Sequence, residues 1–199
     1  MTRQIRFGSG DIELEGIYTE ASGNTASVIT HPHPLYGGDM NSNVVVSLQM
    51  AFLNTDISTL RFNFRGVGQS GGAYDGGLGE QDDVMAAMNH LLGLGKDRIF
   101  LAGYSFGAWI NAKASGRLGH PPMFLVAPPV ALLDFPEDRI EGLLAVIAGE
   151  DDTFGPPDMV FEAAQKWNPE ARFTMIPHAD HFFWGREEEL QSAIISHLP

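Results

Sequence analysis

The segment Arg98–Trp109, RIFLAGYSFGAW, constrains this chain more than any other. Arg98–Gly103 is a continuous, largely apolar run, as expected for a strand covered on both faces of a parallel sheet. A helical pattern starts directly after it, at about Ser105. Between the two stands Gly103-Tyr104-Ser105-Phe106-Gly107, a G-x-S-x-G turn in strand–turn–helix context. So tight a turn leaves no room for a side chain at 103 or 107. It also predicts strained backbone at Ser105, with the hydroxyl pushed out above the sheet. A helix N-terminus there places free N–H groups and positive dipole beside developing negative charge. Ser105 is therefore the candidate nucleophile. The competing reading is a simple N-cap serine, since G-x-S-x-G alone is a weak pattern in a chain with 23 glycines.

Around this segment the apolar pattern switches between two periods. Arg3–Gly8 and Ile12–Thr19 alternate about a Gly8-Ser9-Gly10-Asp11 turn and predict an opening antiparallel hairpin. Ala26–Thr30, Ile57–Phe64, Met123–Ala127, Leu143–Ala148 and Arg172–Ile176 are strand candidates. Helices are predicted over Asn43–Leu53, apolar on most sides, and over Glu80–Leu92, with Val84, Met88, Leu91 and Leu92 on one face. Two more run from Pro156–Pro157 to Trp167, since proline is tolerated in a first turn, and over Glu187–Leu198. The alternation predicts an α/β fold: a mostly parallel central sheet with helices on both faces and an antiparallel N-terminal hairpin. The length of 199 residues fits one domain, 1–199. Pro128–Gly142 is the only place for a lid, enough for a flap beside the site and too short for a cap domain.

Composition removes several classes of function. With no cysteine, there is no disulfide framework, thiolate nucleophile or thiolate metal site. A formal net charge of −13 argues against nucleic acid, anionic substrates and anionic membranes. The N-terminus, MTRQIRFGSGDIELEGIY, alternates like a strand and lacks the apolar core of a secretory signal. Met123–Leu133 and Leu143–Ala148, the most apolar stretches, are too short to span a bilayer. The expectation is a soluble, cytoplasmic protein with no nucleic-acid or membrane partner.

His31 and His33 form an H-x-H pair, but two histidines do not fill a zinc site; the pair reads as a brace for its loop, and no metal is expected. Gly66, Gly68 and Gly71 spell G-x-G-x-x-G after a strand. A dinucleotide site needs a helix at once, whereas Gly72, Gly76, Gly77 and Gly79 keep this chain in a loop until about Glu80. The loop has no lysine for a phosphate cradle. Arg65, Ser70 and Glu80 then belong to a loop packed beside the site, and no cofactor is expected.

Five stretches carry a family resemblance: HPHPLYGGDMNSNVV (His31–Val45), RFNFRGVGQSGG (Arg61–Gly72), GYSFG (Gly103–Gly107), GEDDTFGPP (Gly149–Pro157) and HADHFFWG (His178–Gly185). In this order they resemble the α/β-hydrolase superfamily, and more closely the small capless bacterial hydrolases related to dienelactone hydrolase and the prolyl oligopeptidase-like group. The resemblance implies that fold, with little or no cap, and chain order Ser…Asp…His. Glu150, Asp151 and Asp152 all lie on the loop where the acid belongs; the family pattern selects Asp152. It selects His181 as the base, ahead of an aromatic pair. His178, where a small residue is usual, is expected on the rim. A serine hydroxyl needs a neighbouring imidazole to take its proton, and that imidazole needs a carboxylate to fix its tautomer.

One oxyanion donor should be the N–H of Phe106. The other should come from HPHPLYGG. Pro32 and Pro34 have no N–H to give, and the first free amide past them is that of Leu35, with Tyr36 next. Leu35, Tyr36, Phe106, Trp109, Phe154, Phe182 and Phe183 lie on or near the loops expected to line the site. Tyr36, Trp109, Phe154 and Phe182 are the expected substrate contacts in a largely apolar pocket. The expected activity is hydrolysis of small or medium uncharged esters, with thioesters included. Amidase, peptidase or acyltransferase chemistry on the same residues, or a non-catalytic binding protein that keeps the fold, are the alternatives. An exposed apolar rim would also suit a homodimer contact.

Overall fold

A computed structural model describes residues 1–199. Eight strands form one sheet: β1 (Thr2–Ser9), β2 (Ile12–Thr19), β3 (Thr25–Thr30), β4 (Ser58–Phe62), β5 (Arg98–Tyr104), β6 (Met123–Val126), β7 (Leu143–Gly149) and β8 (Arg172–Ile176). Five helices complete the fold: α1 (Asn43–Leu53), α2 (Gly79–Gly93), α3 (Phe106–Ala114), α4 (Pro157–Trp167) and α5 (Glu187–Ser196). The strand order is β1-β2-β4-β3-β5-β6-β7-β8. The β1–β2 and β2–β4 pairs are antiparallel and all others parallel. The α/β architecture and opening hairpin expected from the apolar pattern are both present.

The parallel strands are apolar on two faces because each face is covered. Ile99 and Leu101 of β5, with Met123 and Leu125 of β6, join the core under α2, α3 and α4. The alternate residues Phe100, Ala102, Phe124 and Val126 join the opposite core under α1 and α5. That period-two division between two helix layers is what a doubly covered sheet requires. The α2 face departs from its expected composition. Val84 and Leu91 are buried, but Leu92 is exposed, because at 100° per residue it has rotated past the packed stripe.

The topology places the site. β4 lies on one side of β3 and β5 on the other, so the winding direction reverses between β3 and β5. Ligands in open α/β sheets bind at the carboxyl ends of strands at such a reversal. The loops leaving β3 and β5 are those holding HPHPLYGG and Ser105.

Residues 128–142 contain no helix or strand and form a strap rather than a lid. The Trp109 indole donates to the Asp134 carbonyl at 2.8 Å and the Trp167 indole to Pro136 at 3.0 Å. The Ala131 amide donates to Phe154 and that of Ile140 to Trp167. No helix is long and apolar enough to cross a membrane.

The loop before α2 is held by charge. The fully buried Asp83 carboxylate takes two hydrogen bonds from the Arg65 guanidinium, at 2.8 and 3.1 Å, one from the Arg65 amide and one from Ser9. Glu80, also buried, accepts the amides of Asp75 and Gly77, and Ser70 donates to the Asn63 carbonyl. Asp83→Ala would leave the Arg65 charge, only 17% exposed, without its partner. A loss of about 3–5 kcal/mol is expected in urea unfolding, whereas Asp82→Ala, on the exposed ion pair with Arg117, should cost no more than about 1 kcal/mol.

Candidate active site

Ser105 occupies the turn between β5 and α3 at φ 55° and ψ −115°, a conformation L-residues rarely adopt. Its amide donates to Val126 at 2.9 Å, which ties the strained residue to the neighbouring strand. The flanking glycines are dictated by what lies against them. A Cβ on Gly103 would sit 2.6 Å from the Ala108 nitrogen, and one on Gly107 would sit 2.6 Å from the Thr30 carbonyl oxygen. The turn thus packs backbone to backbone against both its own helix and the end of β3.

Two further loops reach this point. The loop after β7 carries Asp152, whose Oδ1 accepts the amides of Phe154 (2.8 Å) and Gly155 (3.0 Å). Those bonds aim Oδ2 at His181 Nδ1, 2.8 Å away. His181 stands on the loop after β8, and its Nε2 lies 2.9 Å from Ser105 Oγ. All three side chains belong to buried residues. Asp151 is exposed and contributes only its amide, to Ala179. Glu150 accepts the His178 amide at 2.8 Å and lies 3.4 Å from the His178 ring, which is 75% exposed. His178 therefore stands at the rim.

The histidine loop is fixed from behind. Tyr104 donates its hydroxyl to the His181 carbonyl at 3.1 Å, and burial pushes that phenol's pKa well above its ordinary value, so it remains a donor. Phe183 adopts φ 54° and is fully buried in the α1–α5 core. It is an anchor for the loop and not part of the pocket, as its apolar character alone had suggested.

Above the nucleophile, the Phe106 amide begins α3 and makes no hydrogen bond within the protein. The Leu35 amide, expected as the second free donor, is occupied: it donates to His33 Nδ1 at 3.2 Å. The free amide is that of His33 itself, between the two prolines, which has no partner within the protein. Counting past the prolines overlooked it. The signal was present in H-P-H-P, because a residue flanked by two prolines has no neighbouring N–H to compete with its own. The His33 ring packs against the Phe106 ring at 4.8 Å between centroids.

His31 holds this peptide from below. Its Nε2 accepts the Phe64 amide at 3.0 Å, so Nδ1 carries the proton and donates to the Pro32 carbonyl at 2.6 Å. Burial lowers the pKa of this imidazole from 6.5 to about 4, which keeps it neutral. Both histidines of the H-x-H pair brace their loop through hydrogen bonds, the role expected of them.

Aromatic side chains flank the centre. Phe154 and Phe182 lie 4.7 and 5.6 Å from the His181 ring. Tyr36 lies 4.8 Å and Tyr74 5.0 Å from the His33 ring. Tyr74, on the glycine-rich loop, was not among the expected lining residues; its setting between glycines concealed it. Trp109 is turned to the strap through Asp134 and packs against Phe106 and Lys113. A hollow of about 790 Å³, lined by Leu133, Phe135, Met159 and Trp167 among others, lies between the strap and α4 and does not include Ser105.

No family model matches the chain. The uncharacterised protein RP471 of Rickettsia prowazekii is 33% identical over 211 residues, covering 98% of this chain and 88% of that protein. An α/β serine hydrolase homologue from Coxiella burnetii is 34% identical, with a TM-score of 0.92 over 99% of this chain and 97% of that one. XC6422 from Xanthomonas campestris, an α/β serine hydrolase without a lid, is 27% identical, with a TM-score of 0.92 over 98% and 93%.

The His31 brace carries a pH signature. Its pKa is lower in the folded chain, so the unfolded chain binds the extra proton between about pH 6.5 and 4. Stability is complete above that window and falls as pH drops through it, by about 3 kcal/mol in total from this group. Urea unfolding of the wild type against His31→Gln checks this: the variant should start less stable and lose less of its stability across the window.

Proposed function

The chain belongs to the α/β-hydrolase superfamily, and from that premise we propose that it is a serine esterase acting through an acyl-enzyme on Ser105. The observation that carries this reading is the unbroken buried chain from Asp152 Oδ2 through His181 to Ser105 Oγ, with links of 2.8 and 2.9 Å. Asp152 accepts from Nδ1–H and so leaves the Nε2 lone pair facing the serine hydroxyl. As Oγ attacks the ester carbonyl, its proton passes to Nε2. The imidazolium, stabilised by Asp152, returns that proton to the departing alkoxide. Water then repeats the sequence on the acyl-enzyme and restores Ser105.

The tetrahedral oxyanion would be received by two amides, those of Phe106 and His33. Both are unpaired in the resting protein, and both belong to residues whose rings touch. Preset donors of this kind supply charge stabilisation without reorganisation at the moment of reaction.

The substrate class follows from the walls. Tyr36, Tyr74, Phe154 and Phe182 offer apolar faces on either side of the centre, and the net charge of −13 repels anions. Small or medium uncharged carboxylic esters, including thioesters, suit such a cleft. The lidless architecture of the Xanthomonas relative supports an open site. A small-molecule ester in the cytoplasm is accordingly the proposed partner.

Hydrolysis of p-nitrophenyl acetate and butyrate tests the reading. Wild type should turn over. Ser105→Ala should lose at least about a thousandfold in kcat, and Asp152→Asn about 10³–10⁴-fold, because the amide favours the wrong imidazole tautomer. Activity in Ser105→Ala equal to wild type would remove the nucleophile assignment.

A further inference from the structure

The loop His31–Gly38 is organised around one peptide, that joining Pro32 to His33. Its carbonyl is fixed by the Nδ1–H of His31 at 2.6 Å. No cis peptide occurs in the chain, and in a trans peptide the N–H points opposite to the C=O. Pinning the carbonyl toward the buried His31 therefore sends the His33 N–H the other way, out of the core.

The next turn is fixed by His33 itself. Its carbonyl accepts the amides of Tyr36 and Gly38, each at 3.1 Å. Its Nδ1 accepts the Leu35 amide at 3.2 Å and so caps the short 3-10 turn Pro34–Tyr36. Without that ring, the Leu35 N–H, on an exposed residue, would turn to water, and the turn that follows His33 would lose its cap. The cap adds to the two bonds on the His33 carbonyl, and together they anchor the chain on the far side of the His33 N–H, where ψ stands at 123°. The ring accepts at Nδ1 only when neutral, with its proton on Nε2. Partial burial lowers its pKa below the ordinary value and favours that form. The two histidines thus use opposite tautomers, one donating at Nδ1 and the other accepting there.

We propose that the His33 side chain is a positioning residue for the oxyanion site: by capping the Leu35 amide through Nδ1 it holds the His33 backbone N–H, already oriented by His31, on the reacting carbonyl. The proposal rests on the esterase reading above and on His33 as the second donor. The ring itself does not touch the reacting atoms; it acts through its own backbone. Its contribution belongs to the transition state, where charge on the carbonyl oxygen is largest, and so falls on kcat rather than KM.

Three variants separate this role from packing. His33→Ala removes cap and ring. His33→Phe keeps an aromatic ring against Phe106 and Tyr74 but offers no acceptor. His33→Asn loses the ring, yet its Oδ1 can accept the N–H two residues on, as asparagine does in turns. On p-nitrophenyl butyrate, Ala and Phe should each lose roughly ten- to hundredfold in kcat, less than the about 10²–10³-fold cost of deleting an oxyanion donor outright. KM should stay within about threefold. Asn should recover most of that loss. Affinity for a trifluoromethyl ketone, which forms the tetrahedral adduct, should fall in parallel with kcat/KM, with thermal midpoints checked for all three.

The proposal fails if His33→Ala stays within about threefold of wild type in kcat, if Phe matches Asn, or if KM alone rises. If Ser105→Ala retains wild-type turnover in the same assay, the esterase reading fails first and this proposal falls with it. Full loss in Ser105→Ala with none in His33→Ala overturns only the role given to His33.

Discussion

The backbone contact between Gly107 and Thr30 sets the scale of the whole site. With a Cβ on Gly107 only 2.6 Å from the Thr30 oxygen, the N-terminus of α3 lies directly against the end of β3. That closeness forces Ser105 into its φ of 55°, a strain of about 1–3 kcal/mol. It also places the two loops that leave β3 and β5 within one ring contact of each other. The parallel register from Thr25–Arg98 to Thr30–Gly103 and the Ser105 amide bond to β6 over-determine the turn, so the strain persists. Every other part of the site is delivered to this point by a strand end.

Orientation of protons is the second organising element. Three imidazoles surround the centre, and each has its tautomer fixed by a different partner. His181 is set by Asp152, His31 by the Phe64 amide and His33 by the Leu35 amide. Only His181 is joined to both a carboxylate and the serine. The other two are held neutral by burial, which suits loop braces and leaves one imidazole free to cycle its proton. The acidic partner is similarly constrained: both Asp152 oxygens are engaged, whereas Asp151 faces solvent.

Much of the fold was legible because local and global preferences agree. The period-two runs at β5, β6 and β7 are apolar on both faces because helices cover both, and α1 and β8 begin and end where their apolar pattern does. The G-x-S-x-G turn was legible because sterics alone demand both glycines. Leu92 misled because a helical face has an edge, and whether the residue at that edge is covered depends on the neighbouring helix. Leu35 misled because a free amide was counted without asking whether a side chain two residues back could take it. Trp109 and Phe183 are aromatic and near the centre in sequence, which fits lining and core equally. The contacts that decide between the two, the Trp109 indole bond to the strap and the Phe183 packing in the α1–α5 core, are long-range and leave no local trace.

The central claim is that Ser105 is an activated nucleophile, and the most direct measurement is covalent labelling with a fluorophosphonate, read by intact mass and peptide mapping. The account predicts one adduct per chain, on the peptide carrying Ser105, formed quickly in the wild type, slowly in His181→Ala and not at all in Ser105→Ala. No adduct on the folded wild type, or an adduct that persists in Ser105→Ala, would contradict it.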